Sequence, residues 1–435
     1  MDPMHWRSMP RPGWDGLVFA GATPAPSKHG RPRGPLKNSF PFHFPMSLSN
    51  TPAKSVPDVA IVGVAESDLG KVPDKTAVEL QAQAARRALL DAGLTLQEVD
   101  GVFAHTDDRF SSLQLSEYLG IRPRYTDSTN VGGMSNLVHI RHAMAAIAAG
   151  MCEVALITYG STQLSDGSRK LTALVEDPRS PRGQFVVPHG HLSPIGYYAM
   201  VAQLHGHRYG TRSADLAEIA VAARRWAALN PKAYRREPLS IEDVLQSPLV
   251  AEPLRQRDCC LVTDGGGALV VTSAARAASL KKPPVLVRGI AEHYSHHYTP
   301  FDLDDWLETG VAATAERAFR MADVTRQDID VVQIYDHFTI GVMQSLEELG
   351  FCARGEGKDF VRHGRLGPGG AFPINTSGGG LSYGHPGMFG IFLVIEAVRQ
   401  LRGECGERQL PDPKLALCHA PGLVFSANTT MILGV

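Results

Sequence analysis

The sequence predicts an α/β protein built from two similar halves, each made of alternating strands and helices. From residue 58 onward, short β-branched apolar runs alternate with segments that have an apolar face of helical period. In addition, residues 93–105 (GLTLQEVDGVFAH) and 323–335 (DVTRQDIDVVQIY) match at six aligned positions, 230 residues apart. A duplication of this length predicts two lobes packed on each other, with chance similarity of two βαβ units as the alternative.

The first half is predicted to contain a strand at 59–64, a helix at 76–92 and a strand at 98–105, followed by a helix at 134–150 and a strand at 153–158. The second half repeats this order with a strand at 284–290, a helix at 311–322 and a strand at the end of 323–335, followed by a helix at 387–402 and a strand at 414–418. We therefore predict lobes at 56–275 and 276–435, with a helical and loop insertion at about 163–257. Residues 264–267 (DGGG) are expected to form a tight turn.

Residues 1–55 differ in composition from the rest of the chain. They hold ten of the thirty prolines, and seven basic residues against two acidic ones. They also have no helical or alternating period. We expect a disordered extension here, although a targeting segment is the alternative and Met46 is a plausible start.

The overall composition is that of an ordinary globular protein. A net charge of −1 gives no electrostatic reason to expect nucleic acid or a membrane surface as a partner. No apolar run is long enough to span a bilayer. The six cysteines form no CxxC pair, which favours reduced thiols and a cytoplasmic location. His293, His296 and His297 have no matched second cluster, so no metal site is predicted.

A glycine-rich loop at residues 375–387 (NTSGGGLSYGHPG) is the strongest local signal for chemistry. It opens into an amphipathic helix, and loop amides beside a helix N-terminus can bind an anion or a developing oxyanion. We expect the amides of Gly378, Gly379 and Gly380 to supply this site, with Tyr383 and His385 as its titratable groups. A glycine-rich turn without chemistry is the alternative.

Two further segments place polar residues at element ends. Tyr335, Asp336 and His337 follow the strand of the second repeat, where open α/β sheets bind ligands, although a strand-end tyrosine is more often a core or rim residue. Gly133 lies in NVGGMSN at 130–136, a strand-to-helix turn that could carry a nucleophile. No thiol is present there, and Ser135 is more often a cap than a nucleophile.

From about residue 57 the chain resembles the thiolase superfamily, and more narrowly its sterol-carrier-protein-x, lipid-transfer-protein branch. The resemblance is carried by VAIVGVAES at 59–67, AIAAGMCEVALI at 146–157, LNPKA at 229–233, CCLVTDGGGALVVTS at 259–273, YDHFT at 335–339, LGFC at 349–352 and NTSGGGLSYGHPG at 375–387. It implies a thiolase fold with αβαβα layers.

True thiolases carry the acyl group on a cysteine and move protons with a second one. The resemblance places these two positions at Gly133 and near Gly422, whereas the histidine of the GHP motif is kept as His385. The strand-end position that is His or Asn in thiolases is Tyr335. Tyrosines at the positions of Tyr335 and Tyr383 resemble the thiolase-like steroid side-chain aldolases, while His337 stands where relatives often have cysteine.

The resemblance therefore implies retro-aldol cleavage of a β-hydroxyacyl-CoA in steroid or related lipid catabolism. One tyrosine would take the hydroxyl proton and the other would protonate the enolate, since a phenol of pKa about 10 is closer to an alkoxide than imidazole is. Asp336, His337, Gly133 and Ser135 would contact the substrate. Coenzyme A would enter only as part of the substrate, with no tightly bound cofactor.

Two alternatives remain open from the sequence. One is a thiolase-type acyltransferase that uses Cys418 or Cys352, and the other is a non-catalytic subunit that binds lipid or acyl-CoA. The resemblance also implies a homodimer and a small partner protein with a zinc ribbon and an OB fold.

Overall fold

The computed structural model describes residues 58–106, 110–168, 177–190, 193–296 and 303–435, so the predicted extension at 1–55 lies outside the described residues. The strands are β1 Val59–Glu66, β2 Gly101–His105, β3 Tyr125–Asp127, β4 Val154–Ser161, β5 Leu249–Ala251, β6 Leu254–Arg255, β7 Gly265–Ser273, β8 Val285–Tyr294, β9 Val331–Ile334, β10 Leu415–Gly422 and β11 Ala427–Gly434. The helices are α1 Ala77–Ala92, α2 Ser111–Leu119, α3 Ser135–Ala148, α4 Pro181–Phe185, α5 Pro194–Tyr209, α6 Ser213–Ala228, α7 Ile241–Leu245, α8 Ala274–Ala277, α9 Val311–Ala322, α10 Thr339–Glu348, α11 Gly357–Phe360 and α12 Gly390–Leu401. None of these helices combines the length and apolar character needed to cross a bilayer.

The duplication predicted from the sequence is present in the order of the strands. The main sheet runs β3-β2-β4-β7-β1-β8-β11-β10-β9. Its first half contains β2-β4-β7-β1 and its second half contains the corresponding order β9-β10-β11-β8, with one parallel pair followed by two antiparallel pairs in each. The halves meet at β1 and β8, which pair only at Ala60↔Leu286 and Ile61↔Val285.

The helices form layers around these two half-sheets. Helix α1 packs on the first half and α9 on the second, each beside a core of its own. Helices α3 and α12 contact strands of both halves and contribute to a third core between them. This is the predicted αβαβα arrangement, and it buries the starts of α3 and α12 near the centre of the molecule.

The two repeats share a close contact between the first strand and the first helix. A Cβ at Gly63 in β1 would lie 2.1 Å from the carbonyl oxygen of Ala88, and a Cβ at Gly289 in β8 would lie 2.2 Å from that of Ala318. Both helices are followed by a capping box, made by Thr95 with Glu98 and by Thr325 with Asp328. The matched sequence segments therefore have matched local structures.

Between β4 and β7 the chain inserts helices α4–α7 and the hairpin β5–β6. Residues of α5 and α6 belong to the core of the second half, although the insertion follows a strand of the first half. The predicted turn at 264–267 was wrong, since β7 already begins at Gly265 and pairs with the end of β4. Only glycine fits at residue 266 of this strand, because a Cβ there would lie 2.6 Å from the carbonyl oxygen of Tyr159. The lobe boundaries stay a prediction.

Candidate functional site

A cavity of about 390 Å³, here called the central cavity, lies where the starts of α3, α12 and the end of β9 come together. Its polar and glycine lining includes Gly132, Gly133, Gln163, Tyr335, His337 and His385. Its apolar lining includes Ile195, Tyr198, Phe338, Met388 and Leu423. Of the residues predicted from the sequence, the structure therefore brings Tyr335, His337, His385 and Gly133 into one cavity.

Tyr335 and His385 form a hydrogen-bonded pair in the wall of this cavity. The Tyr335 hydroxyl lies 2.7 Å from Nε2 of His385, and both residues are almost completely buried. The amide of Gly387 donates to Nδ1 of His385 at 3.3 Å, so the neutral imidazole carries its hydrogen on Nε2. His385 therefore donates to the phenol oxygen, and the phenol itself donates to the carbonyl oxygen of Gly387 at 3.4 Å.

His337 has the opposite tautomer. Its Nδ1 lies 3.1 Å from the carbonyl oxygen of Tyr335, which can only accept a hydrogen bond. Nδ1 consequently carries the hydrogen, and the neutral ring has its lone pair on Nε2. The ring is held edge-on by Tyr198, with ring centroids 4.4 Å apart, and by Phe425 at 5.7 Å. The site thus combines a hydroxyl donor with an imidazole lone pair.

Gly133 and Tyr335 occupy a shared space. A Cβ on Gly133 would lie 2.0 Å from Cε1 of the Tyr335 ring and 2.8 Å from the carbonyl oxygen of Pro421. Any side chain at the start of α3 would therefore overlap the tyrosine ring. Tyrosine at residue 335 therefore requires glycine at residue 133, so this arrangement leaves no room for a nucleophilic side chain there.

Ser135 stabilises the turn before α3. Its hydroxyl donates to the carbonyl oxygen of Gly132 at 2.7 Å and accepts from the amide of Val131 at 2.9 Å. The side chain is fully buried and is not part of the cavity lining. Ser135 therefore does not lie where a substrate contact was predicted. Its hydrogen bonds to the turn are closer to the capping role that was the alternative.

The glycine loop is also arranged differently from the prediction. Residues Gly379–Tyr383 form a π-helical turn. The amide of Gly378 donates to the carbonyl oxygen of Asn375 at 2.9 Å, and that of Gly379 donates to Ser377 Oγ at 3.2 Å. Gly380 donates to Asp336 Oδ1 at 2.6 Å. All three amides are thus engaged within the chain and lie outside the central cavity lining.

Asp336 lies behind the site and accepts hydrogen bonds from this turn. Its carboxylate accepts from the amides of Gly380 and Leu381, and a Cβ at Gly379 would lie 2.0 Å from Oδ2. Complete burial raises the pKa of Asp336 to about 7, although these amides act in the opposite direction. Asp336 therefore positions the glycine turn and does not face the cavity.

Tyr383 extends away from Tyr335. Its hydroxyl donates to Glu66 Oε1 at 3.0 Å, and Glu66 is held by both terminal nitrogens of Arg399 on α12. Burial and the adjacent carboxylate raise the pKa of Tyr383 well above its usual value. Tyr383 is absent from the central cavity lining, so the structure does not bring the two predicted tyrosines together.

The cysteines do not line this cavity, although the backbone of Cys260 is hydrogen bonded to that of His337. Cys418 is fully buried in β10, where its thiol faces the carbonyl oxygen of Leu393 and burial raises its pKa. Burial also raises the pKa of Cys352 to about 12. None of the six cysteines lines the central cavity. Within the described ranges, no group of three or more His, Cys, Asp or Glu side chains is placed to hold a metal ion.

Sequence reasoning missed two residues that organise the site. Asp264 accepts hydrogen bonds from the amides of Val72, Leu164 and Ser165, and it thereby fixes the loop that carries Gln163 into the cavity wall. The signal available in the sequence was an aspartate directly before three glycines. Gln163 itself gave none, because an isolated glutamine in a polar loop has no distinctive pattern.

The chain is similar to known proteins over most of its described length. Residues 292–435 match the family model for a thiolase C-terminal domain-like unit. The chain is 38% identical to 17-hydroxy-3-oxo-4-pregnene-20-carboxyl-CoA lyase of Mycobacterium tuberculosis, over 79% of this chain and 91% of that protein. It is 35% identical to the steroid side-chain-cleaving aldolase of Thermomonospora curvata, over 79% and 90%.

A solved structure described as the Ltp2-ChsH2(DUF35) aldolase superposes with a TM-score of 0.80 at 32% identity, covering 87% of this chain and 98% of that one. Fold, site geometry and these similarities agree on one assignment. The chain belongs to the thiolase superfamily, in the group that includes the steroid side-chain-cleaving aldolases.

Proposed function

We propose that this protein is a carbon–carbon lyase that cleaves a β-hydroxyacyl-CoA by a retro-aldol reaction, in the breakdown of a steroid side chain or a related lipid. The observation that carries the proposal is the Tyr335 ring, which fills the space beside Gly133 and is hydrogen bonded to His385. The cavity thereby replaces a covalent nucleophile with an acid–base group. Two relatives, one named as a carboxyl-CoA lyase and the other as a steroid side-chain-cleaving aldolase, support the same reaction.

The reaction requires one proton to move from oxygen to carbon. A base removes the proton of the β-hydroxyl group, and the bond between the β-carbon and the α-carbon breaks as the new carbonyl forms. The electron pair of that bond passes into the thioester enolate, which then takes a proton on the α-carbon. The products are a ketone and a shorter acyl-CoA. No acyl group is transferred to the protein, so no thiol is needed.

We assign the base to His337 and the acid to Tyr335. Each turnover leaves an imidazolium at His337 and a phenolate at Tyr335, and the proton returns from the first to the second, whose ring centroids are 5.4 Å apart, before the next substrate is cleaved. His337 presents an unprotonated Nε2 in its neutral form, while the Tyr335 oxygen accepts from His385 and its proton, which the phenol donates to the Gly387 carbonyl oxygen over 3.4 Å, would pass to the substrate. This assignment replaces the two-tyrosine scheme, since Tyr383 donates to Glu66. We propose that Tyr383 is a positioning residue that anchors the turn before His385.

The negative charge of the enolate needs stabilisation in the same cavity. Gly133 lines the cavity at the N-terminal end of α3, where the helix dipole favours negative charge. We propose this helix end for the thioester oxygen, in place of the amides of Gly378, Gly379 and Gly380, which donate within the chain.

The acyltransferase alternative would require a reactive thiol beside His385. Cys418 and Cys352 both have raised pKa values, which disfavour the thiolate, and both lie outside the central cavity lining. These positions favour the lyase. Turnover of a β-hydroxyacyl-CoA would also distinguish the lyase from the second alternative, a non-catalytic subunit that only binds acyl-CoA.

We also propose two assembly partners. The structural relative is an aldolase paired with a DUF35 protein, which supports a small zinc-ribbon and OB-fold partner for this chain. A homodimer is proposed from the family resemblance. Strand β3 at the edge of the sheet has backbone groups on which a second copy could pair.

The function is tested by incubating the full chain with a β-hydroxyacyl-CoA that carries a tertiary hydroxyl, with and without a DUF35-type partner. We expect equal amounts of ketone and shortened acyl-CoA, measured by liquid chromatography with mass detection. A parallel incubation with a 3-ketoacyl-CoA and free CoA tests the acyltransferase. Thiolysis of that substrate, with no ketone formed from the hydroxylated one, would instead support the acyltransferase.

A further inference from the structure

Two adjoining cavities of about 530 and 250 Å³ lie beside α6 and α7 and are here together called the arginine pocket. Arg224, Arg235 and Arg257 line both of them. Neither cavity shares a lining residue with the central cavity. The arginine pocket is therefore a separate feature of the molecule, and the reaction proposed above makes no use of it.

Arg224 places a buried positive charge in this pocket. The residue is only 4% exposed. Its Nε donates to the Ser382 hydroxyl oxygen and its Nη1 donates to the carbonyl oxygen of Glu237, at 3.0 Å each, and both acceptors are neutral. Burial and the nearby charge of Arg257 lower the pKa of Arg224. A buried charge that lacks a counter-charge is costly, so an anion in the pocket would stabilise the protein.

Two further arginines add to this charge. Arg235 and Arg257 are exposed in the same walls, and within the described part of the chain none of the three arginines forms an ion pair with a carboxylate. Two acids also line the larger cavity, but both are bonded to the backbone. Glu237 accepts from the amide of the residue before it, and Asp243 forms the capping box of α7. The pocket therefore favours a negatively charged ligand.

The donors of the pocket indicate the class of this ligand. Guanidinium groups bind phosphate oxygens through paired, charge-assisted hydrogen bonds. The hydroxyl of the buried Ser382 lines the smaller cavity, and its oxygen accepts from Arg224, so its proton can be donated to a ligand. Pro238, Leu239 and Pro248 in the wall of the larger cavity suit a small organic group. Phosphate or a small phosphate monoester fits this combination.

The arginine pocket is built against the turn that precedes His385. The amide of Tyr234 donates to the carbonyl oxygen of Tyr383 at 2.9 Å, and the amide of Arg235 donates to that of Ser382 at 3.0 Å. Together with the Ser382 hydroxyl, these bonds join the arginine segment to the glycine turn. An anion held by the arginines would therefore stabilise the turn as well.

We infer that Arg224, Arg235 and Arg257 bind phosphate or a small phosphate monoester at a site separate from the central cavity, and that this binding stabilises the turn at Gly379–Tyr383. The ligand acts as an effector and is not consumed. The inference does not depend on the lyase reaction, because it concerns a different cavity. Coenzyme A also carries phosphate groups, and the experiment distinguishes that source from a free phosphate.

Binding is measured by isothermal titration calorimetry of the full chain with inorganic phosphate and with methyl phosphate, at constant ionic strength. Arg257→Gln is expected to weaken binding at least about tenfold, since it removes a charged hydrogen-bond donor. Arg236→Gln is the matched control, because Arg236 lines neither cavity and its guanidinium donates to the carbonyl oxygen of Ala228 at 3.2 Å. It should bind within about twofold of the wild type. No saturable binding by the wild type, or equal weakening in both variants, would overturn the inference.

The titration is repeated with a saturating non-cleavable acyl-CoA, in whose presence the affinity for phosphate should change less than about twofold. Loss of phosphate binding under this condition would show that the phosphates of coenzyme A occupy the pocket, which would refute a separate site. Hydrogen exchange in a peptide covering 378–387 should slow when phosphate is added to the wild type, but not to Arg257→Gln. Unchanged exchange in the wild type would refute stabilisation of the turn. No step of this experiment requires turnover, so its result is independent of the lyase assay.

Discussion

Tyr335→Phe is expected to lower kcat for carbon–carbon cleavage by a factor of about 10² to 10⁴, the usual contribution of a general acid or base. The ring stays in the space beside Gly133, so packing and substrate binding should be preserved. Only the hydroxyl that faces His385 is lost. The rate is measured in single turnover with the partner present, and binding of a non-cleavable acyl-CoA is measured separately.

Tyr383→Phe is the matched control for this variant. It removes an equivalent hydroxyl, but one that donates to Glu66 outside the central cavity. We expect a rate loss below about tenfold, together with a stability loss of about 1 kcal/mol for the missing hydrogen bond. A loss of activity in Tyr383→Phe as large as that in Tyr335→Phe would restore the two-tyrosine mechanism and contradict our assignment.

Gly133→Ala is expected to inactivate the enzyme by displacing the Tyr335 ring. The new methyl group would lie 2.0 Å from Cε1, and the neighbouring carbonyl of Pro421 at 2.8 Å blocks the other direction. Overpacking of this kind costs about 1–3 kcal/mol of stability, and a misplacement of about 1 Å at a reacting group can reduce the rate about 100-fold. Denaturant unfolding and single-turnover kinetics measure the two effects.

Gly367→Ala is a suitable control, because its added Cβ would have only ordinary contacts at 3.5 Å. A double variant then isolates the cause. In a Tyr335→Ala background the ring is absent, so the destabilisation caused by Gly133→Ala should be smaller than in the wild type. If the two substitutions were simply additive in stability, the shared-space explanation would be incorrect.

Local and periodic features of the fold could be predicted from the sequence. The helix at 311–322 and the alternation of strands and helices along each repeat follow from apolar periodicity and from the matched segments around Thr95 and Thr325, because these patterns depend on neighbours in sequence. The same reasoning located Tyr335, His337 and His385, since strand ends and glycine loops converge at one edge of such sheets.

The parts that sequence reasoning could not supply depend on contacts between distant segments. Tyr383 was predicted to face the site, but its hydroxyl partner Glu66 lies 317 residues earlier in the chain. The amides of Gly378, Gly379 and Gly380 were predicted to be available, but acceptors that include the Asp336 carboxylate already occupy them. A loop motif shows which groups exist, whereas only the fold determines which of them are already bonded.

Intact-protein mass spectrometry during turnover tests most directly the claim that the acyl group is never carried by the chain. The sample is quenched in acid within the first turnover on a β-hydroxyacyl-CoA. We predict that only the unmodified mass appears while ketone and shortened acyl-CoA accumulate, because none of the six cysteines lines the central cavity. A transient mass increase equal to the acyl group, mapped to a cysteine, would contradict the account.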